Sequence, residues 1–538
     1  MRITPCQAAL AAAITLNLLF LLCSRLSPGG SPQCRGVPRG VPGGVPGVTV
    51  ILRDSRDPEQ DLEGTARSFS SLPGLPVLVV SEEAPYPPVT LPAGVTVLSL
   101  RPQPHRSAPR PELAVLTRHV ALVPDGARAV PGLLRHMRDV LEATADGTVR
   151  VVAAAVGDVR PNCLDLEVDV KAWTARYSHQ SDHKERNGHK SDHKSDHKER
   201  NGHKSDHNQQ SDHNDHRSGH NDHQAVRCGA LDGAPVVLLL RSRDLFSLPF
   251  PLSTPVVTSL SIQASLRGWR LLLLPDSFPL SPRPPSSPHS LWKSQTLREQ
   301  QHRALMEEFG LKLEELPDGR RRWHGCAKDT PRCFGTVRSQ TPEYLLAGRW
   351  TPPCCLQALR VTARHVLAEL DSAGVRHWLE GGSLLGAVRL GDIIPWDYDV
   401  DVGLYLQDVP KCRWLAAVVT TGQPVEDPQG FFWEKASEGE FFRVHFSRTN
   451  RLHVDLWPFF PDGRGMMTKE TWLGHGQDVE FPERFLQPLG SVLFAGLVAK
   501  APNSPREFLE FKFGPGAVER PQYPNPGLRR LEQDLGTG

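Results

Sequence analysis

The stretch Trp378-Leu-Glu-Gly-Gly-Ser-Leu-Leu-Gly, followed at Ile394 by Ile-Pro-Trp-Asp-Tyr-Asp-Val-Asp-Val, constrains this chain more than any other. Side chains of a β-strand alternate between faces, so the spacing predicts that Asp397, Asp399 and Asp401 project together while Tyr398, Val400 and Val402 pack the other way. Carboxylates that close repel and raise one another's pKa, whereas Mg²⁺ or Mn²⁺ takes hard oxygen ligands and shares them with phosphates. A tight turn at Gly381 and Gly382 lets backbone approach a phosphate with no Cβ in the way, and Ser383 offers it a hydroxyl. The apolar flanks argue for a buried strand rather than a charged, solvent-facing one. Together these residues carry the pattern of phosphoryl transfer.

At 538 residues and 39% hydrophobic content the chain holds two domains or more with real cores. Its 62 basic against 60 acidic residues leave a net charge of +2, which gives no global field for nucleic acid. Residues 8–23 form an apolar run broken only by Thr15 and Asn17. The run is short for a membrane span, and a cleavable signal peptide is the alternative, but no convincing small-residue cleavage site follows. We therefore expect an uncleaved signal anchor within residues 1–26, of a length suited to the thin membranes of the early secretory pathway. Arg25, Arg35 and Arg39 outnumber Arg2, so the positive-inside rule does not by itself favour a lumenal C-terminus.

Residues 27–47 are rich in Pro and Gly and read as a flexible linker. Strand-like runs then begin at Val48, Leu75 and Gly94, the first two separated by a helix pattern around 62–72, which is a βαβ opening. Further runs at Val120, Val149 and Val236 predict an open α/β sheet with helices on its faces, similar to a nucleotide-sugar glycosyltransferase domain. Such enzymes hold a metal with Asp-x-Asp. Here Asp125 stands alone at its strand end, so this half reads as non-catalytic.

Between 178 and 224 the composition changes: Ser-Asp-His-Lys-Glu-Arg-Asn-Gly-His-Lys occurs at 181–190 and again at 195–204, and eleven of the 22 histidines fall in this tract. Polar repeats without apolar residues bury no core, so a disordered surface insert is expected, with adventitious metal binding as the alternative. Cys163 and Cys228 bracket it. In an oxidising lumen they would form a disulfide closing the loop; two unrelated buried thiols are the other reading.

Pro282, Pro284, Pro285 and Pro288 mark a linker, and a helical pattern over 291–315 follows, so the domain break is expected near residue 290: a stem over 48–290 and a catalytic domain over 291–538. The second domain contains Cys326, Cys333 and the adjacent pair Cys354 and Cys355. Neighbouring cysteines rarely bridge each other, which leaves two crossed disulfides or one tetrahedral Zn²⁺, and the spacing does not choose between them. Farther on, Leu452-His-Val-Asp-Leu-Trp places His453, Asp455 and Trp457 on one strand face. Asp455 is a further metal ligand or the acceptor of a hydroxyl proton; His453 orients it or is a structural histidine. Arg389 is a candidate clamp for a diphosphate, with a surface salt bridge as its alternative.

In these residues the chain resembles the fukutin-related ribitol-phosphate transferases of the Golgi, within the LicD-type phosphotransferases of the nucleotidyltransferase fold. The resemblance runs along the whole chain apart from the His/Asp tract and is strongest at 323–334, 350–355, 379–403, 453–459 and 513–526. The family's Gly-Gly-Ser, Asp-hydrophobic-Asp and later acid are met by Gly382, Ser383, Asp399, Asp401 and Asp455. The resemblance implies a mixed α/β architecture: a membrane anchor, an inactive glycosyltransferase-like stem and a C-terminal LicD-like catalytic domain with a zinc-binding loop at 326–355. It favours zinc over disulfides on Cys326, Cys333, Cys354 and Cys355. It also implies a lumenal, single-pass type II topology in the Golgi membrane, and Mg²⁺ or Mn²⁺ on Asp397, Asp399 and Asp401. The implied donor is CDP-ribitol, contacted by Gly382, Ser383, Arg389, the run from Trp396 through Tyr398 and Val400 to Asp401, Gln477, Asp478, Arg520, Pro521 and Gln522. The implied acceptor is the ribitol 5-phosphate on the O-mannosyl glycan of α-dystroglycan. Partners would be other Golgi glycosylation enzymes such as fukutin, and further copies of the chain in a homo-oligomer. The alternatives are another LicD-like transfer, of phosphocholine or a sugar phosphate, and a non-catalytic scaffold of the glycosylation machinery.

Overall fold

The computed structural model describes residues 47–53, 61–82, 89–101, 110–180, 224–281, 287–336 and 341–520. The expected anchor, the linker up to residue 46, the repeats at 181–223, and Pro521 and Gln522 lie outside the described residues. Among the described residues no helix is long and apolar enough to cross a membrane.

The first half is built on an eight-stranded sheet of β1 (Val48–Arg53), β2 (Val77–Ser81), β3 (Val95–Ser99), β4 (His119–Val123), β5 (Val149–Val156), β6 (Val226–Cys228), β7 (Val236–Arg241) and β8 (Arg270–Phe278). Their order is β3-β2-β1-β4-β7-β5-β8-β6. The first four strands are parallel, as the βαβ opening predicts, and β7 runs antiparallel to both its neighbours. Near-continuous Val, Leu and Ala in β1, β4, β5 and β7 reflect burial on both faces. Val48, Val50 and Leu52 face a core built with α1 (Leu62–Ser70) and α2 (Leu133–Ala143), and Ile51 faces another built with α3 (Val256–Leu266). Helix α1 starts where Asp61 accepts from the Gly64 N–H at 3.1 Å, and it turns Leu62, Thr65, Ala66 and Phe69 inward at helical spacing.

A second, five-stranded sheet corrects the expected domain break. It runs Arg321–Trp323, Leu313–Glu315, Thr174–His179, Asn162–Asp169, Ala230–Asp232, so strands beyond residue 290 complete a sheet begun in the first half. The end of α4 (Pro288–Glu308) joins them: Leu305 and Met306 pack with Leu164, Leu166, Ala175, Ala230 and Ile262. Proline-rich composition marks a connection. It does not decide which side the following helix packs against, and here burial of these apolar side chains keeps residues 287–323 with the stem. Cys163 and Cys228, which bracket the repeats in sequence, are disulfide-bonded with Cα atoms 5.2 Å apart.

The second half carries the sheet that positions the acids. Its strands β9 (His377–Leu379), β10 (Asp399–Tyr405), β11 (Val425–Glu426), β12 (Phe432–Lys435), β13 (Phe442–His445) and β14 (His453–Pro461) lie in the order β9-β10-β14-β13-β12-β11. Beneath it α5 (Pro353–Ser372) buries a wide stripe from Cys354 and Cys355 through Leu359, Ala363 and Val366 to Leu370. The halves meet where Trp350 N–H donates to the Lys171 carbonyl at 2.9 Å and Trp173 Nε1 donates to the Trp350 carbonyl at 2.7 Å. The Arg349 guanidinium lies 3.2 Å from the centre of the same Trp173 ring.

Candidate active site

Strand β10 alternates as its sequence requires: Val400, Val402 and Leu404 are fully buried in the core, while Asp399, Asp401 and Gly403 share the other face. Gly403 is required there, since a Cβ would fall 2.4 Å from the Trp378 ring. Asp397 departs from the period-2 expectation because it precedes the strand, in the turn after Ile394; its N–H donates to the Ile394 carbonyl at 2.9 Å. The turn nevertheless returns its carboxylate to Asp399, with which it hydrogen-bonds. β14 runs parallel to β10 with Asp455 opposite Asp401 and His453 opposite Asp399, so four carboxylates and an imidazole share one end of two strands.

Gly381, Gly382 and Ser383 are not a free turn. They open helix α6 (Gly381–Leu390), after Glu380. Ser383 Oγ accepts from the Asp401 N–H at 2.9 Å, and the Glu380 N–H donates to the Asp401 carbonyl at 3.0 Å, which pins the helix start to the acidic strand. A Cβ on Gly382 would meet Asp397 Oδ2 at 3.0 Å, and one on Gly381, at φ +49°, would meet Asp401 Oδ2 at 3.4 Å. The unpaired N–H groups of a helix N-terminus therefore lie beside the carboxylates, an arrangement suited to a phosphate bridged by a cation.

Electrostatics point the same way. Burial, reinforced by the neighbouring acids, holds Asp399 well above the usual carboxylate range. Burial likewise lifts Asp401 to about 7, with Asp455 adding to it, and lifts Asp397 to about 6. Acids that raise one another in this way, next to glycines that leave the approach open, fit a hard divalent cation. A second grouping also has metal-ligand spacing: one ligand atom each of Asp399, His453 and Asp455 lie within 4.8 Å of one another. His453 Nδ1 is 3.0 Å from the Arg451 carbonyl, which turns Nε2 toward Asp455 at 3.8 Å, and burial lowers its pKa to about 4, so the ring is neutral near pH 7. Asp455 is gripped by Arg443 through Nε at 2.8 Å and Nη2 at 3.3 Å.

Several residues of the site carry no local sequence signal. Glu380 is buried against the Lys512 ammonium and accepts from Trp378 Nε1 at 2.7 Å. Lys469, also buried, pairs with Asp478 at 2.8 Å and lies 3.7 Å from the centre of the Trp457 ring. Asp478 is thereby part of the wall of the site, whereas Gln477 is half-buried in the loop before it. Arg389 sits in the last turn of α6, at the opposite end from Gly381, and its guanidinium donates to the carbonyls of Ala517 and Val518. Those bonds fasten the segment after α7 (Pro505–Phe513) and engage Nε and Nη2 of the group expected to clamp a diphosphate. Arg520 is exposed just beyond that segment. Trp396 and Tyr398 flank Asp397 and are half-buried, and Val400 lies in the core beneath.

The four cysteines meet at the edge of this domain. Gly325 and Cys326 both adopt left-handed backbone, φ +100° and +58°, and fold the loop onto the start of α5. Cys326 Sγ lies 2.7 Å from Cys354 Sγ and 2.8 Å from Cys355 Sγ, and all four sulfurs fall within 4.8 Å of one another. The structure differs from a four-thiolate site in that Cys333 and Cys355 are disulfide-bonded while Cys326 and Cys354 remain thiols. Sulfurs converging on one point are open to both fates, oxidation and metal binding, and compete for them. The Cys354 thiol is lowered by the hydrogen bond from Cys326, with the Lys312 charge assisting, which favours a thiolate there. Arg332, next to Cys333, lines a cavity of about 380 Å³ with Arg443, His445, Arg451 and His453.

Residues 374–504 match the family described as LicD/FKTN/FKRP, nucleotidyltransferase domain. Residues 35–193 and 211–317 match the fukutin-related protein stem domain, a match that skips the middle of the repeat tract and extends past residue 290. The chain is 48% identical to the ribitol 5-phosphate transferase FKRP of Homo sapiens over 99% of both chains, and 47% identical to that of Mus musculus over the same share. It is 27% identical to the ribitol-5-phosphate transferase FKTN of Macaca fascicularis, over 29% of this chain and 32% of that one.

Proposed function

Because the chain belongs to the LicD/FKTN/FKRP family and shares its full length with ribitol 5-phosphate transferases, we propose that it transfers ribitol 5-phosphate from CDP-ribitol to a ribitol 5-phosphate already in place on the O-mannosyl glycan of α-dystroglycan. The product is a tandem phosphodiester. The observation that carries the chemistry is the meeting of Asp399 and Asp401 with Asp455 and with the glycine-led start of α6.

Asp397, Asp399 and Asp401 would hold Mg²⁺ or Mn²⁺, which when bound neutralises the donor diphosphate and the charge growing on departing CMP. The N–H groups opening α6 receive a phosphate oxygen, with no Cβ at Gly381 or Gly382 to bar it. The acceptor hydroxyl attacks phosphorus in line, the new O–P bond forms as the bond to CMP breaks, and its proton passes to Asp455, whose carboxylate Arg443 holds in place. His453, neutral beside it, orients the hydroxyl. In the cavity that Arg332 lines with Arg443 and Arg451, the latter two are paired with Asp455 and Glu434, so Arg332 is the cation that would receive the acceptor phosphate. Cys326, Cys333, Cys354 and Cys355 would hold a structural Zn²⁺ that fixes the loop presenting Arg332. Anchorage by residues 1–26 in the Golgi membrane, a lumenal catalytic domain, assembly as a homo-oligomer and work alongside fukutin complete the reading.

The test is CMP release by purified protein from CDP-ribitol, with and without a ribitol 5-phosphate acceptor. Acceptor-dependent release supports the proposal. Release only from a CDP-linked choline or sugar would assign another LicD-like transfer, and no release from any donor would leave a scaffold.

A further inference from the structure

The stem contains a further set of metal-ligand side chains, distinct from the acids and the four cysteines. His302 comes from α4, Glu314 from the strand Leu313–Glu315, and His324 from the residue after the strand Arg321–Trp323. One ligand atom from each lies within 4.8 Å of the others. Both imidazoles address a single carboxylate oxygen: His302 Nε2 and His324 Nε2 are 2.8 and 2.9 Å from Glu314 Oε2. The Glu314 side chain is 2% exposed, and the rings lie with centres 5.9 Å apart at a tilt of 50°. The two histidines line a cavity of about 1000 Å³ together with Arg53, Asp125 and Asp232. It opens at the carboxyl ends of β1 and β4, where the strand order of the sheet reverses direction, the place at which open α/β sheets accept ligands.

A buried carboxylate needs compensation, and hydrogen bonds from two imidazoles supply some. That need alone would be met as well by one ring on each carboxylate oxygen. Instead both Nε2 atoms converge on one oxygen at hydrogen-bond distance, and the three atoms lie within 4.8 Å of one another, so an outward shift of about half an ångström gives the roughly 3.3 Å spacing that ligands bound at about 2.0 Å keep around tetrahedral zinc. Two borderline imidazoles and one hard carboxylate from three separate elements, with one side open to a cavity, form a donor set that zinc-class ions accept.

We propose that His302, Glu314 and His324 form a binding site for a divalent ion of the zinc class, separate from the four cysteines, with its fourth position facing the stem cavity and taking water. The ion fastens α4 to the hairpin that leads through Gly325 into Cys326. His324 already touches the cysteines through its carbonyl, 3.8 Å from Cys354 Sγ. The two sites thus brace opposite ends of one short segment.

The experiment loads the whole purified chain with Zn²⁺ alone, dialyses it against a weak chelator, and counts zinc per chain in the wild type, Glu314→Gln and His302→Ala. The repeat tract is common to all three and cancels in the difference. Glu314→Gln keeps a hydrogen-bond acceptor for both rings but removes the charge. The expected result is one zinc equivalent fewer in each variant, with zinc raising the thermal midpoint of the wild type more than that of Glu314→Gln. Equal zinc counts in all three would overturn the site and leave a hydrogen-bonded trio. Should the variants aggregate, anomalous scattering at the zinc edge from wild-type crystals decides: a peak between the three side chains supports the site, and a peak at the cysteines only refutes it.

Discussion

Trp457 donates its indole N–H to Asp401 Oδ1 at 2.9 Å, reaching across from the parallel neighbouring strand two positions beyond Asp455. A neutral donor on an acid of the site fixes which carboxylate oxygen is left for a cation. The indole is itself held, stacked on Phe441 with ring centres 4.1 Å apart and planes 17° apart.

Trp457→Phe keeps that stack and removes the donor. Hydrogen bonds to charged groups contribute about 1.5–3 kcal/mol, so CMP release at limiting Mg²⁺ should fall about 10- to 100-fold and recover partly as Mg²⁺ is raised. A Mg²⁺ dependence identical to wild type would show that the indole does not orient the carboxylate.

Asp399→Asn and Asp401→Asn should each abolish transfer while the protein still folds, because the amide keeps the shape but loses the charge that holds a cation. Stability without divalent ions should rise in both, since each removes one member of a mutually repelling cluster. Wild-type activity in strong chelator would refute the metal assignment.

Burial of these acids, with the Asp455 charge adding to it at Asp401, sets a pH dependence. Asp397 and Asp401 titrate near 4 in the unfolded chain and are held up to about 6 and about 7 in the fold, so their contribution is fully present below pH 4 and is lost as pH rises through the folded values. In chelator the melting temperature should therefore receive a downward slope from these groups between about pH 4 and 7, one that Asp401→Asn reduces. Saturating Mg²⁺, which binds the ionised carboxylates, should flatten it. An identical pH profile for wild type and variant would remove the electrostatic account.

For the cysteines, zinc analysis should assign one equivalent to Cys326, Cys333, Cys354 and Cys355, lost on any single Cys→Ser change together with domain stability or acceptor-dependent release. Peptide mapping of the purified, active protein that recovers Cys333 linked to Cys355 would favour the disulfide.

Deleting the repeats should leave CMP release nearly unchanged, since each doubling of loop length costs only about 0.6 kcal/mol. The cut has to spare Ser178 and His179, which pair with Asp165 and Leu164, so residues 181–223 are the span to replace with a short Gly/Ser connector. A large loss of activity would show that the histidines there serve a function.

The sequence made periodic and local features legible. Val48–Leu52 is apolar but for Thr49 because it is buried on both faces, and Asp399 and Asp401 alternate with valines because one face of β10 is core. The same alternation misplaces Asp397, because it fails ahead of the strand, where a turn sets direction. Gly381 and Gly382 looked like a turn because glycine is a poor helix former, yet the start of a helix tolerates them where close approach is needed. Glu380 with Lys512 and Lys469 with Asp478 pair through folding, and no spacing rule joins residues 132 apart, as the first two are, or 9 apart in a loop, as the second two are. The same holds for His302, Glu314 and His324, whose intervals match no ligand motif, and for strand Leu313–Glu315, whose partner Thr174–His179 lies on the far side of the repeats and a proline-rich segment.

That last pairing has a bearing on biogenesis. A chain emerging in order completes Thr174–His179 early, but the strand that covers its open edge is not made until residue 313, after the whole repeat tract and α4 have been synthesised. Until then the nascent stem presents an unpaired strand edge of the kind that recruits chaperones or mispairs with other chains. Vectorial synthesis and closure of the stem are therefore out of step, and substitutions along 311–323 should lower the yield of folded protein even where the finished enzyme turns over normally.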